Sequence, residues 1–361
     1  MISDLELPDR PGQAHSSAHS VHGSDAKPHP AACGVIGVPD DLDVSVVVST
    51  YNRAAVLRHA LDSLLQQEPP GLHYEIVVVD NNSTDSTRGL VESFLARGCP
   101  NLRYLFEPRQ GVAYGRNTGI LSSQAPIIAF TDDDVIVAPD WIATLKRTLD
   151  EHPEIDCVGG RVLPRWNRAL PSWLTREHWA PLALVDYGDT PFYVTASKRL
   201  CLLTANAAFR RAVFSRIGLF APHVQAVKRE VATEDHELLL RLWRSGGQGF
   251  YAPTLIVTSD IATERFTKNY HRRWHQRHGH FSAIMHDEGL EGTHFARLFG
   301  VPAWIYREGV EGGVRCLGCL LRSNRDRAFL HETRLRFSLG FVGARWREFF
   351  FHATAATSGR S

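Results

Sequence analysis

The sequence predicts an α/β protein with a doubly wound, mostly parallel central sheet. A continuous β-branched run at residues 43–49 is typical of a parallel strand covered on both faces, and residues 75–80 form a second such run. Between them, apolar residues recur at helical spacing until Pro69 and Pro70 end the helix. Strand, helix and strand in this order make one βαβ unit.

The same alternation continues along the chain. A helical repeat through residues 90–95 is followed by a short strand at 102–106, a helix after Gly111 and a strand at 126–130. Successive βαβ units cross over in the right-handed sense, and such sheets bind ligands at the carboxyl ends of their strands. We therefore expect the functional residues directly after the predicted strands.

Composition limits the classes of function. The 361 residues are 43% hydrophobic, enough for a large buried core, and the formal net charge of +1 gives no indication of a nucleic-acid partner. The charge is unevenly distributed, because residues 263–361 hold 16 Arg and Lys against 9 Asp and Glu. A basic tail is therefore a feature of the chain.

The first 40 residues predict a disordered leader. They are rich in His, Pro, Ser, Ala and Gly and have no helical or strand periodicity. Acidic residues stand where a signal peptide needs basic ones, and no apolar run is long enough to span a membrane. The six scattered cysteines favour a reducing compartment. We expect a cytoplasmic protein, with the inner face of the cell membrane as the place of any membrane contact.

Polar clusters follow three of the predicted strands, at residues 50–53, 80–83 and 131–134. The last cluster contains Asp132, Asp133 and Asp134, whose like charges repel one another unless a cation binds. Mn²⁺ or Mg²⁺ takes carboxylate oxygens and bridges them to a diphosphate. The alternative is a solvated acidic turn that caps the following helix.

The chain has no P-loop and no G-x-G-x-x-G after its first strand, so a P-loop kinase and a dinucleotide-binding dehydrogenase are disfavoured. A nucleotide is then held differently. Asp80 at the tip of the second strand is placed to accept from a base N–H, or else it caps its own turn. The turn at residues 50–53 supplies donors beside it.

Four segments in register resemble family 2 glycosyltransferases of the GT-A fold: residues 46–53, 76–85, 111–120 and 130–134. The resemblance covers about residues 43–280. It implies a GT-A-like doubly wound mixed sheet with a Rossmann-like nucleotide-binding half and an acceptor half. It also implies inverting, Mn²⁺- or Mg²⁺-dependent transfer from a nucleoside-diphosphate sugar, most often a UDP-sugar. The acceptor would be a carbohydrate or a lipid-linked molecule in cell-surface polysaccharide or glycoconjugate synthesis.

The resemblance assigns roles to single residues on the donor side. Asp80 is similar to the base-contacting aspartate, while Asp132 and Asp134 resemble the first and last members of the DxD motif, the metal ligands. Arg116 resembles a basic residue near the diphosphate, with a helix-surface arginine as the alternative. The full set of expected nucleotide contacts is Thr50, Tyr51, Asn52, Arg53, Asp80, Arg116, Asp132 and Asp133.

Two further segments resemble the acceptor side. Glu234 and Asp235 begin a helix, and the resemblance makes Asp235 the general base, with Glu234 steadying it or binding acceptor. The alternative is an acidic first turn favoured by the helix dipole. Asn206 resembles an acceptor-contacting asparagine, although Thr204 stands where the family commonly has glycine.

The segment at residues 268–280 is dense in arginine and histidine. It predicts a lid over the diphosphate, with Arg273 stabilising the leaving group and one histidine completing the metal shell; a basic solvated helix is the alternative. The processive family pattern Gln-x-x-Arg-Trp is only partly matched by residues 271–274, which favours a non-processive enzyme.

The sequence thus divides into a leader at 1–40, a glycosyltransferase domain at 41–280 and a basic amphipathic helical region at 281–361. Helices of the last kind bind anionic membranes or pack on the core. The Cys316–Cys319 pair predicts buried helix-face thiols. Two rival functions remain: a nucleotidyltransferase on a related sheet, which has no need of the Glu234–Asp235 pair, and a non-catalytic module that binds a nucleotide-sugar.

Overall fold

The computed structural model describes residues 41–222, 234–292 and 295–358, with side chains up to residue 350. The predicted leader lies outside the described residues.

One large mixed sheet organises the described chain. Its strands are β1 (Val44–Thr50), β2 (Tyr74–Asp80), β3 (Leu102–Phe106), β4 (Ile127–Asp132), β5 (Val135–Val137), β6 (Cys157–Arg165), β7 (Phe192–Val194), β8 (Asn206–Arg210) and β9 (Gly249–Asp260). They follow the order β3-β2-β1-β4-β8-β6-β9-β5, with β7 paired to β9. Strands β10 (Arg297–Leu298) and β11 (Val301–Pro302) form a separate hairpin.

Helices follow most strands. They are α1 (Ala54–Leu65), α2 (Thr87–Leu95), α3 (Val112–Ser122), α4 (Trp141–Glu151), α5 (Arg211–Ile217), α6 (Glu234–Arg244), α7 (Lys268–Ile284), α8 (Glu288–Glu291), α9 (Ala303–Leu321) and α10 (Arg325–Ser358). The predicted βαβ units of the first half are all present.

Strand β1 shows why the sheet is covered on both faces. Successive side chains of a strand point to opposite faces. Val46 and Val48 belong to one buried cluster with Leu57 of α1, whereas Val47 belongs to another with Ile120 of α3. The continuous apolar run is therefore needed on both sides, as the sequence predicted.

The sheet changes direction after β4. Strands β1 to β4 pair in parallel, but β8 is antiparallel to both β4 and β6. The α/β class is confirmed, and the sheet is mixed.

Helix α3 packs unusually close to β1. A Cβ added at Gly119 would lie 2.3 Å from Cγ1 of Val47, a stiff β-branched side chain in the buried sheet.

We expect Gly119→Ala to lower the free energy of unfolding by about 1–3 kcal/mol through overpacking. Gly89→Ala on α2 is the matched control, because nothing lies within 4 Å of the added Cβ there. It should be neutral or stabilising by about 0.5–1 kcal/mol. Equal unfolding midpoints in urea for the two variants would refute the close packing.

The C-terminal helices pack on one another. Backbone contact between α7 and α10 is so close that a Cβ at Gly279 would lie 2.0 Å from the Phe337 oxygen, and one at Gly340 would lie 1.8 Å from the Gln276 oxygen. The boundary predicted between residues 280 and 281 therefore falls inside a packed helix.

Cys316 and Cys319 lie on α9 as free, half-buried thiols, more exposed than expected. No helix in the described part of the chain is long and apolar enough to cross a membrane.

Candidate active site

The ends of three neighbouring strands meet at one edge of the sheet. Thr50 is the register partner of Asp80, and Ser49 is that of Asp132, so β1, β2 and β4 end together. Asp80 is buried and accepts from the Ser83 backbone N–H at 2.8 Å and the Tyr104 hydroxyl at 2.8 Å. Each carboxylate oxygen can accept a further hydrogen bond, so the predicted base contact of Asp80 stays a prediction.

Arg53 closes the acidic turn after β4. Its Nη1 donates to Oδ1 of Asp133 at 2.6 Å and to Oδ2 of Asp134 at 2.9 Å, and the Thr50 hydroxyl donates to Asp133 at 2.7 Å. Burial raises the pKa of Asp133 to about 6; Arg53 opposes this rise and Asp134 adds to it. Thr50 and Asp133 are buried and serve here to hold Arg53 and the turn, and their direct nucleotide contacts stay predictions.

Asn52 fixes the loop that follows β2. It has a left-handed backbone, with φ of 52°, and its side-chain oxygen accepts from the Thr84 backbone N–H at 2.6 Å. Its own backbone N–H donates to Ser83 at 2.9 Å. Asn52 is exposed and the neighbouring Tyr51 is half-buried, so both side chains border solvent at the end of β1.

Arg116 joins the two acidic motifs. This buried α3 side chain donates through Nη1 to Glu234 at 2.6 Å and to Asp235 at 2.8 Å, and through Nη2 to Asp132 at 3.1 Å. The alternative of a surface arginine is therefore wrong. One guanidinium thus brings Asp132 of the DxD motif together with the Glu234–Asp235 pair, although the two motifs lie far apart in the sequence.

The Glu-Asp pair consists of one buried and one accessible carboxylate. Glu234 is 1% exposed, and burial raises its pKa to about 7, with Asp235 adding to the rise and Arg116 opposing it. Its Oε2 has no hydrogen-bond partner among the described residues. The Asp235 side chain is 16% exposed. Burial likewise raises the pKa of Asp132, against the effect of Arg116.

Thr204 holds Asp235 from the opposite side. Its backbone N–H donates to Oδ2 at 3.0 Å and its hydroxyl donates to Oδ1 at 2.7 Å. A glycine at this position supplies only the first of these bonds. The departure from the family pattern therefore adds a hydrogen bond to the predicted base.

Asn206 was predicted to contact the acceptor, but its side chain is buried inside the protein. It is 1% exposed, its Nδ2 donates to the backbone oxygens of Arg161 at 2.8 Å and Leu255 at 2.9 Å, and its oxygen accepts from the Trp141 indole at 2.7 Å. Both amide hydrogens are used inside the protein, so the side chain ties neighbouring parts of the sheet together and does not reach an acceptor.

The predicted lid is a packed helix. His271 of α7 is fully buried against Trp173 and Phe329, and burial lowers its pKa to about 4. Burial also lowers the pKa of His275 to about 3. Burial therefore favours the neutral form of both histidines, and the histidine that would complete a metal shell stays a prediction. Arg273 lies on the exposed side of α7, and its contact with a diphosphate stays a prediction.

The acidic residues fit a divalent cation shared with a substrate. Five carboxylate side chains pair with the two guanidiniums of Arg53 and Arg116, so acidic groups outnumber basic ones here. The five are Asp132, Asp133, Asp134, Glu234 and Asp235. Such an acidic site repels a diphosphate unless a cation intervenes. No group of three or more His, Cys, Asp or Glu among the described residues could hold a metal alone. Mg²⁺ sites that include substrate phosphates need only one or two carboxylates. Asp132 and Asp134 as these carboxylates stay a prediction.

The sequence did not predict the Arg53 ion pairs, the Arg116 ion pairs with Glu234 and Asp235, the Tyr104 bond to Asp80 or the Thr204 bonds to Asp235. Only the Thr204 contact left a signal in the sequence, as the unusual residue in a resembling segment.

The fold and this site define a glycosyltransferase-type protein of the GT-A fold. A solved mannosyltransferase from Pyrobaculum calidifontis, in complex with GDP-Man and Mn²⁺, superposes with a TM-score of 0.58 at 19% identity, covering 85% of this chain and 88% of that one. S. aureus TarS in complex with UDP-GlcNAc superposes with a TM-score of 0.50 at 18% identity, covering 82% of this chain and 90% of that one. At such identities the likeness concerns the fold.

The profile of Glycosyl transferase family 2 matches residues 45–218, just under half of the chain. The glucosyl-dolichyl phosphate glucuronosyltransferase of Haloferax volcanii is 26% identical over 211 residues, 57% of this chain and 65% of the relative. The validoxylamine A glucosyltransferase of Streptomyces hygroscopicus is 34% identical over 148 residues, 40% of this chain and 32% of the relative. The chain thus spans less than two thirds of either relative.

Proposed function

We propose that this protein transfers a sugar from a nucleoside-diphosphate sugar, in the first instance a UDP- or GDP-sugar, to a hydroxyl of a carbohydrate or lipid-linked acceptor. Transfer proceeds with inversion at the anomeric carbon and with a divalent metal. The match to Glycosyl transferase family 2 supports the reaction class. The solved neighbours carry UDP-GlcNAc or GDP-Man, and one carries Mn²⁺, which supports the donor class and the cofactor.

The observation that carries the proposal is the position of Arg116 between Asp132 and the Glu234–Asp235 pair. Inverting transfer needs the leaving diphosphate on one face of the sugar and a base on the other. A single guanidinium that contacts both acidic groups keeps these two functions within one cleft. Its charge also offsets part of the negative charge that develops on the leaving group.

Asp235 is the better candidate for the general base. A base must be reached by the acceptor hydroxyl, and Asp235 keeps an exposed fraction that Glu234 lacks. Three hydrogen bonds, two from Thr204 and one from Arg116, fix the carboxylate in one orientation. Glu234 is the positioning residue beside it, since its bond to Arg116 holds that guanidinium in place.

Asp132 and Asp134 would hold the metal, whose charge neutralises the diphosphate and polarises the leaving group when it is bound. Arg53 keeps Asp134 oriented through its ion pair. The remaining predicted donor contacts, including Asp80 at the base and Arg273 at the diphosphate, belong to this proposal.

Thr204 gives a prediction specific to this chain. Thr204→Ala removes one hydrogen bond to the ionised carboxylate and should lower kcat by about tenfold. The lost bond leaves the carboxylate of the proposed base less firmly oriented. Thr204→Ser keeps the hydroxyl and should restore kcat. Equal kcat values for the Ala and Ser variants would show that the hydroxyl has no such role.

The proposal is tested by calorimetric titration of the purified protein with UDP and with GDP, with and without Mn²⁺. Micromolar binding of one nucleotide that requires the metal supports the proposal and identifies the donor class. Binding of neither nucleotide under any condition contradicts it. Nucleotide binding without any sugar transfer would favour the non-catalytic module.

A further inference from the structure

Helix α9 carries an apolar stripe on the side that faces away from the protein. Val310, Val314, Leu317 and Leu321 follow one another at helical spacing and are 67%, 66%, 58% and 79% exposed. The opposite side of α9 is buried: Gly309 meets Ser338 and Gly312 meets the backbone of residues 331–335, both on α10. Side chains of this size are seldom left in water along four consecutive turns.

The stripe is continued at each end. Leu320 adds a 50% exposed side chain near the end of α9. At the start of α9, Tyr306 accepts a hydrogen bond from the Trp346 indole at 2.6 Å. Trp346 belongs to a cluster of exposed aromatic rings in mutual contact, together with Phe299, Phe349 and Phe350. We call this stripe with its aromatic cluster the α9 face.

Charge on the α9 face has one sign toward its end. Residues 312–325 contain Arg315, Arg322 and Arg325 and no Asp or Glu. Arg322 follows Leu321 directly at the end of α9, and Arg325 is the first residue of α10. Both arginines are exposed. Apolar side chains that alternate with exposed guanidiniums match the boundary between acyl chains and anionic headgroups.

We propose that the α9 face docks on the surface of a lipid bilayer that contains anionic phospholipid. The helix lies in the plane of the interface over a length of about 28 Å, at 1.5 Å per residue for its 19 residues. Its apolar stripe enters the acyl boundary, and its arginines contact lipid phosphates. The aromatic cluster suits the same depth, because Trp and Phe are favoured at membrane interfaces.

A second copy of the chain fits this face less well. In a two-fold dimer the same patch meets itself, so Arg322 and Arg325 would oppose the same positive charges of the second copy, while Arg315 already pairs with Glu311 at 3.0 Å. An anionic bilayer relieves that repulsion. The bilayer is therefore the occupant that the charges favour.

The test is co-sedimentation of the full chain with phosphatidylcholine vesicles, with and without phosphatidylglycerol. The protein should bind the vesicles that contain phosphatidylglycerol, and rising salt should weaken that binding. Leu317→Asn combined with Leu321→Asn should lower the partition coefficient at least about tenfold. Arg322→Gln combined with Arg325→Gln should lower it about twentyfold on anionic vesicles. Leu121→Asn is the control, since that leucine is 72% exposed on α3 and lies outside the α9 face, and its binding should equal that of the unmodified protein.

Two outcomes overturn the proposal. One is no sedimentation with anionic vesicles at low salt, and the other is equal binding by the Leu317/Leu321 variant and the control. Light scattering measures the oligomeric state. If the unmodified protein is a dimer and the Leu317/Leu321 variant is a monomer, the α9 face binds a second copy of the chain and the bilayer proposal is wrong. Circular dichroism confirms that each variant is folded, and nucleotide titration shows separately whether the proposed enzymatic site is intact.

Discussion

Asp235→Asn is expected to lower kcat for sugar transfer about a thousandfold while nucleotide and Mn²⁺ binding remain. The substitution keeps the size of the side chain but removes its ability to take the acceptor proton. Asp235 is held by hydrogen bonds from Thr204 and Arg116. Steady-state release of nucleoside diphosphate in the presence of acceptor measures the effect, and calorimetry measures the retained binding.

The control for this variant is Asp150→Asn, whose carboxylate is 55% exposed and pairs with Lys146 one turn away. Its kcat should be unchanged. Glu234→Gln should cost less than Asp235→Asn, because a group with a pKa near 7 is already partly protonated at neutral pH. If Asp235→Asn turned over normally and Glu234→Gln did not, the roles of the two residues would be exchanged.

The second large effect is expected at the metal. Asp134→Ala removes one of the two carboxylates placed to hold the cation, so metal-dependent donor binding should weaken about a hundredfold, equivalent to about 2.7 kcal/mol. Arg53 loses one of its two ion pairs at the same time and keeps Asp133. Titration of the variant with nucleotide and Mn²⁺ gives the loss directly.

Binding of nucleotide in EDTA is the internal control for Asp134→Ala, since that weaker binding does not involve the carboxylate. Asp150→Ala is the external control and should bind as the unmodified protein does. Donor affinity that is indifferent both to Mn²⁺ and to Asp134→Ala would remove the metal from the proposal, whereas equal losses with and without metal would indicate a folding defect.

The first half of the fold was predictable because its strands are buried on both faces. The predicted runs at 43–49 and 75–80 correspond to β1 (Val44–Thr50) and β2 (Tyr74–Asp80) within one residue at each end. Strand β6 gives no such signal, since Cys157–Arg165 contains two glycines whose Cβ positions are filled by Leu202 and Leu255. Such contacts join residues far apart in the sequence, so the residues of β6 alone do not predict the strand.

The candidate site was predictable where a short motif carries the chemistry. Asp132 and Asp235 stand in resembling segments, and the structure brings them together through Arg116. Asn206 stood in such a segment too, yet its amide is used inside the sheet. A motif identifies the type of residue but not whether its side chain faces the cleft, since that depends on packing between segments far apart in sequence.

The most direct test of the central claim is the release of nucleoside diphosphate from a panel of UDP- and GDP-sugars, measured with Mn²⁺, with EDTA, and with Asp132 and Asp134 both replaced by alanine. We expect release of nucleoside diphosphate from the sugars of one nucleotide, in the presence of Mn²⁺ only, and loss of that release in the double variant. Release that continues in EDTA and in the double variant, or no release from any donor by a protein that binds neither nucleotide, would contradict the central claim.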